Sequence, residues 1–245
     1  MARYKIILAY DGTDFSGFQR QAEVRTVQAE LESALVQIGW QGRSIVAAGR
    51  TDAGVHAAGQ VAAFDLDWNH ADDDLLLALN ASLPLDIAVQ QVAQAADGFH
   101  PRFDAVARRY RYTIFCHPQR DPLRERYAWR VWPAPKRETL QQAASLLLHS
   151  HDFAAFGRPM KEGGSTVRQV FETVWTKEDA TFSFEVEANA FLYHMVRRML
   201  SLQVAVGQGL KDIGLIEERL RNPQTVIQGL APAQGLCLIE VKYLE

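Results

Sequence analysis

The 245-residue chain has little cysteine, with only two, and no apolar run approaching membrane-spanning length. Cys116 and Cys237 both fall inside strand-like apolar runs, which reads as two buried thiols rather than a disulfide and as a reducing compartment, the cytoplasm. No Cys/His cluster has metal-ligand spacing, so the sequence predicts no structural or catalytic metal. The first apolar segment, residues 4–10, is broken by Asp11-Gly12 and is too short for the core of a secretory signal. Positive charge is not in excess either: the formal net charge is −3, which by itself argues against a nucleic-acid partner. The rest is ordinary. With 48% hydrophobic and 22% charged residues, the chain can bury the core of one large domain or two smaller ones.

The distribution of charge points the other way from its sum. Between His100 and Arg130 stand eight arginines (Arg102, Arg108, Arg109, Arg111, Arg120, Arg124, Arg126 and Arg130) against Asp104, Asp121 and Glu125, a local excess of five. Screening limits how far distant acids reach, so a basic patch on an acidic protein still captures phosphate. A charge run is more often a solvated face. Arginine interleaved with Tyr110, Tyr112, Phe115, Tyr127 and Trp129, however, favours planar stacking contacts with RNA.

Periodicity gives the order of elements. Residues 4–10 read as a strand, and Thr26 caps a helix to about 38 with Val27, Leu31, Leu35 and Ile38 on one stripe. Residues 44–48 and 59–66 read as strands, Asp72-Asp73-Asp74 opens a helix to about 81, and 87–92 is another strand. A second half opens with the alternating strand 104–116, followed by a helix near 138–149, a flexible loop at 161–165 and a strand at 182–187. The helix predicted over 191–206 is apolar except for a stripe of His194, Arg197, Arg198 and Ser201. A helix over 213–221 and a strand over 235–243 close the chain. Two halves are expected, 1–103 and 104–245, in an α+β arrangement of similar element order.

One stretch carries the densest chemistry: Gly49-Arg50-Thr51-Asp52-Ala53-Gly54-Val55-His56, between two strands. Its glycines read as a tight, shaped loop with a carboxylate at its centre. On spacing alone Asp52 is a turn former whose side chain bonds nearby backbone N–H groups. Its case as a reacting group rests on the rest of the chain.

Together with Tyr10-Asp11-Gly12-Thr13, Gly17-Phe18-Gln19, Phe99-His100-Pro101-Arg102-Phe103, Ala107-Arg108-Arg109-Tyr110-Arg111-Tyr112 and Phe191-Leu192-Tyr193-His194-Met195-Val196-Arg197, this loop resembles the tRNA pseudouridine synthase A family in order and rough spacing. The resemblance covers essentially the whole chain. Pro101 stands where many members have Ala, and Phe18 where many have Trp. The resemblance implies the pseudouridine synthase fold: two ferredoxin-like, RRM-like halves sharing a mostly antiparallel central sheet with a cleft between them. It implies an isomerase that converts uridine to pseudouridine at positions 38 to 40 of the tRNA anticodon stem-loop, with no cofactor, acting as a homodimer. It assigns Asp52 as the catalytic aspartate, Tyr110 as the active-site tyrosine, Arg197 as the aspartate's partner and Arg50 as a basic residue that helps hold the flipped base. Arg102, Arg108, Arg109, Arg111 and His194 are the further candidates for RNA contact. Two other readings compete. An aspartate-nucleophile phosphatase would need its nucleophile at position 9, which is Ala9. A non-catalytic RNA-binding module would leave the Asp52 loop unexplained.

Overall fold

The computed structural model describes residues 1–244. The elements in chain order are β1 (Ala2–Tyr10), α1 (Val27–Gln37), β2 (Val46–Ala47), β3 (His56–Leu66), α2 (Asp72–Ser82), β4 (Ile87–Gln94), β5 (Ala105–Phe115), β6 (Trp129–Arg130), α3 (Arg137–Ser145), β7 (His149–Asp152), β8 (Val167–Glu178), β9 (Thr181–Ala188), α4 (Met195–Gly207), α5 (Gly214–Arg221) and β10 (Leu236–Tyr243). The chain divides into two units, Met1–Val106 with the segment that begins at Cys237, and Ala107–Leu236. The final strand thus returns to the first unit.

In the first unit β1 lies antiparallel between β3 and β4, with Ile6 opposite both Ala62 and Val92. β2 adds to β3 through Val46 and Ala63. The order β4-β1-β3-β2 with two helices is that of a ferredoxin-like half. Alternation in β1 buries Tyr4, Ile6, Leu8 and Tyr10. The Thr26 hydroxyl caps α1 by accepting from the Ala29 N–H, and Val27, Leu31 and Leu35 are fully buried beneath it. Each such side chain stabilises the fold by about 1.5–3 kcal/mol relative to exposure. β10 runs parallel to β3, with Cys237 opposite His56.

The second unit is an antiparallel ladder of β5, β9, β8 and β7, with β6 alongside β5. Tyr110 stands opposite Val186 and Tyr112 opposite Phe184. Trp175, Phe182, Phe184, Phe153 and Phe156 fill the core, and α4 lies in it almost entirely buried. Gln203 of α4 accepts the Trp175 indole N–H at 2.8 Å.

Some boundaries differ from expectation. α4 begins at Met195 because His194 adopts a left-handed backbone (φ +66°), which ends the extended approach at the helix cap. α3 stops at Ser145, and His149, also at positive φ, turns the chain into β7. β8 has no counterpart among the expected elements: of its twelve residues only Val170, Thr173 and Trp175 are buried, so its alternation is faint. The two cysteines are free thiols, Cys116 buried and Cys237 half-buried. Among the described residues no helix is long and apolar enough to cross a membrane, and no group of three His, Cys, Asp or Glu is placed to hold a metal ion.

Candidate active site

Asp52 is half-buried in the turn that joins β2 to β3, and Arg50, two residues earlier, is exposed. The turn closes on itself through Val55 N–H donating to Asp52 O at 3.1 Å. Its flanks are strand: Ala48 N–H donates to Val61 O, and the Gln60 amide donates to Gly49 O at 3.1 Å. A carboxylate presented this way rests on sheet backbone rather than on a free loop.

A second loop, residues 11–18, supports it from beside. Phe18 N–H donates to Thr51 O and Gly54 N–H to Phe15 O, while Gly12 N–H donates to His56 Nδ1 at 3.0 Å. The approach is too close for side chains. A Cβ on Gly12 would lie 2.0 Å from Val55 O, and Gly17 (φ +98°) has Thr51 O at 3.0 Å from where its Cβ would be. The buried Tyr10 hydroxyl shares a 2.8 Å hydrogen bond with Thr51 Oγ1 and is also bonded by Gln60. Burial pushes this phenol well above its ordinary range, so Tyr10 stays neutral and keeps the bond. Tyr10, Gly12 and Gly17 belong to the sequence resemblance without a role there; their role is to brace the turn. Paired glycines ahead of a Gly-bracketed carboxylate were the available signal, and Gln60 gave none.

The other expected site residues belong to the second unit, except Arg102, which is exposed in the first with its guanidinium 5.9 Å over the Phe103 ring. Tyr110 is half-buried on β5, its ring edge-on to Phe191 at 5.1 Å. Arg197, in the first turn of α4, donates its Nε to Ala231 O at 2.8 Å, while Ala231 N–H donates to Arg197 O. Next to that segment the Tyr112 hydroxyl donates to Pro232 O, and a Cβ on Gly235 would lie 2.5 Å from the Tyr112 ring. Burial pushes the Tyr112 phenol far up, with the Arg197 charge opposing. The segment 231–235 therefore fixes Arg197 and Tyr112 together, which sequence reasoning missed because it has no periodicity. His194 stacks on Tyr193 with ring centroids 3.7 Å apart.

The arginine run divides by strand face. Arg109 is ion-paired to Glu187 at 2.7 Å and Glu172 at 3.0 Å, and Arg111 to Glu185 at 2.7 Å. Arg120 and Arg130 share Glu125. Arg108, on the same side of β5 as Tyr110, donates to Asn189 O at 2.8 Å. The local excess of charge counted along the sequence is thus largely offset by glutamates from β8 and β9.

A family model described as tRNA pseudouridine synthase matches residues 6–104 and 143–244. The chain belongs to the tRNA pseudouridine synthase family. It is 40% identical over 251 residues to the tRNA pseudouridine synthase A of Chloroflexus aurantiacus, covering 99% of this chain and 89% of that one. With the protein of the same name from Aeromonas hydrophila it shares 41% identity over 98% of this chain and 90% of that one. The Limosilactobacillus fermentum protein shares 38% over 99% and 96%. A tRNA pseudouridine synthase is an isomerase of tRNA uridines, and the mixed α/β architecture with mostly antiparallel strands is the pseudouridine synthase fold. Asp52 lies inside the first matched segment and Arg197 inside the second, whereas Tyr110 falls in the interval between them.

Proposed function

We propose that this tRNA pseudouridine synthase isomerises uridine at positions 38 to 40 of the anticodon stem-loop, with Asp52 as nucleophile. The observation that carries the reading is the braced turn, which presents one carboxylate on a backbone that three neighbouring segments hold still. The reaction breaks the N1–C1′ bond and joins C5 to C1′; the C5 proton leaves, and N1 gains one. The balance is closed, with no redox change and no co-reactant. An ionised Asp52 attacks either C1′ of the sugar or C6 of the ring. The family resemblance adds Arg197 to the catalytic residues. Tyr110 offers a face for the base and a phenol for the late removal of the C5 proton.

A stem uridine must be unstacked before reaction, at a cost of a few kcal/mol that phosphate and stacking contacts offset. Arg50, Arg102, Arg108 and His194 are the residues we assign to holding the RNA, whereas Arg109 and Arg111 keep their charge paired with Glu172, Glu185 and Glu187 on the opposite face of β5. Three adjacent target positions favour recognition of shape and backbone over base identity. We further propose a homodimer acting in the cytoplasm, because one small unit offers little surface to a tRNA. The test is tritium release from unmodified tRNA carrying C5-labelled uridine. Wild type releases tritium and Asp52→Asn does not, while the variant still binds tRNA. Release by the variant at the wild-type rate removes Asp52 from the mechanism; absence of release by the wild type leaves a non-catalytic RNA-binding module.

A further inference from the structure

Between β7 and β8 the chain makes a polar excursion over residues 157–166 whose contacts are out of proportion to its length. Gly157 packs so closely on the stretch ahead of α4 that a Cβ there would lie 2.7 Å from both Leu192 Cβ and Tyr193 O. Tyr193 N–H donates to Arg158 O at 3.0 Å, closing an isolated antiparallel bridge. Beside that bridge lies a groove of about 600 Å³ lined by Arg158, Pro159, Met160, Glu162, Gly163 and Tyr193. The volume is that of a small-molecule site.

One wall is a pile of planar groups. His194 stacks on Tyr193 at 3.7 Å, and the Arg158 guanidinium carbon stands over the same ring, 5.0 Å from its centroid. Arg158 is exposed. Another part of the lining is the flexible thioether of Met160, 45% exposed. A flat wall together with a soft one suits an aromatic heterocycle. Glu162 decides among heterocycles and disfavours an anion beside it. An ionised carboxylate only accepts hydrogen bonds, so it repels a phosphate and favours a ring edge rich in N–H donors. Guanine, with N1–H and the N2 amino group side by side, meets both oxygens of one carboxylate.

We propose that this groove is a second RNA subsite, which takes one unpaired guanine base of the substrate against the Arg158–Tyr193 pile and Met160, with its donor edge on Glu162. It rests on the reading of tRNA as substrate and adds a position at which base identity matters.

The experiment uses the full chain and 5′-labelled, unstructured RNA pentamers that differ only in the central base, with binding followed by fluorescence anisotropy. The guanine-centred pentamer is expected to bind the wild type at least about fivefold more tightly than the uracil-centred one. Arg158→Ala and Tyr193→Leu weaken guanine binding about tenfold. Tyr193→Phe, which keeps the ring, restores it, and this separates loss of stacking from misfolding. Glu162→Gln removes the preference for guanine, and Lys161→Ala, next door but outside the groove, changes nothing. Equal binding of the two pentamers, or no effect of Arg158→Ala, overturns the proposal. Tritium release from unmodified tRNA is measured on the same preparation: release without guanine preference sinks the subsite alone, and no release sinks the functional reading beneath it.

Discussion

Two regions stand out in the sequence, the Asp52 turn and the arginine-rich strand β5, and they behave in opposite ways. The turn is held by backbone: donors and acceptors of residues 12–18 and 48–61 meet it at fixed distances, and two glycines leave room for it. On the strand the arginines are held by other side chains, Arg109 and Arg111 sitting among Glu172, Glu185 and Glu187. Backbone constraints travel with the local sequence, because glycine at a given place is the trace they leave. Charge does not. A guanidinium's partner comes from whichever strand the ladder brings alongside, and here those strands are more than sixty residues away.

If the turn is a catalytic device, its chemistry and its bracing are separable. Asp52→Asn removes the nucleophile while preserving shape, so turnover should fall by about a thousandfold or more with the melting temperature and tRNA affinity close to wild type. Parallel loss of stability and turnover would make Asp52 a structural turn residue. Gly12→Ala acts the other way. Its new methyl meets Val55 O, which is backbone and cannot step aside, so urea unfolding should show a loss of about 1–3 kcal/mol together with reduced turnover.

Tyr10→Phe sits between these two. It removes one hydroxyl from a buried site and leaves Thr51 Oγ1 without that partner, a loss of about 1–2 kcal/mol. Because Thr51 adjoins Asp52, kcat should drop about tenfold while KM for tRNA stays within about twofold. A KM effect instead would place Tyr10 in RNA binding.

Much of this architecture was legible. The 3.6-residue stripe from Val27 and the Thr26 cap mark α1, and alternation in β1 marks its buried face, because both elements have one side against a core. The Asp52 turn was legible through Gly49 and Gly54. β8 was not, since most of its side chains meet water and only Val170, Thr173 and Trp175 register the core. Nor was the clamp on Arg197, which depends on the carbonyl of Ala231 in a segment with neither helical nor strand period. The excess charge of residues 100–130 was visible, but its neutralisation belongs to the ladder between β5 and β9.

The smallest effect concerns that ladder and sharpens the contrast within one strand. Arg108 and Arg109 are adjacent, yet they point to opposite faces of β5, the first toward the side of Tyr110 and the second into the glutamates. Each phosphate contact contributes close to one unit to the slope of log affinity against log salt. Arg108→Gln should therefore reduce that slope by about one and weaken tRNA binding several-fold. Arg109→Gln should leave the slope unchanged, because its charge is already balanced by Glu187 and Glu172, and should cost about 1 kcal/mol of stability or less, as partly exposed pairs do. Equal slopes for the two variants would mean that the glutamates release Arg109 to the RNA, and that the ion pairs of β5 are a resting arrangement of the same phosphate-binding surface.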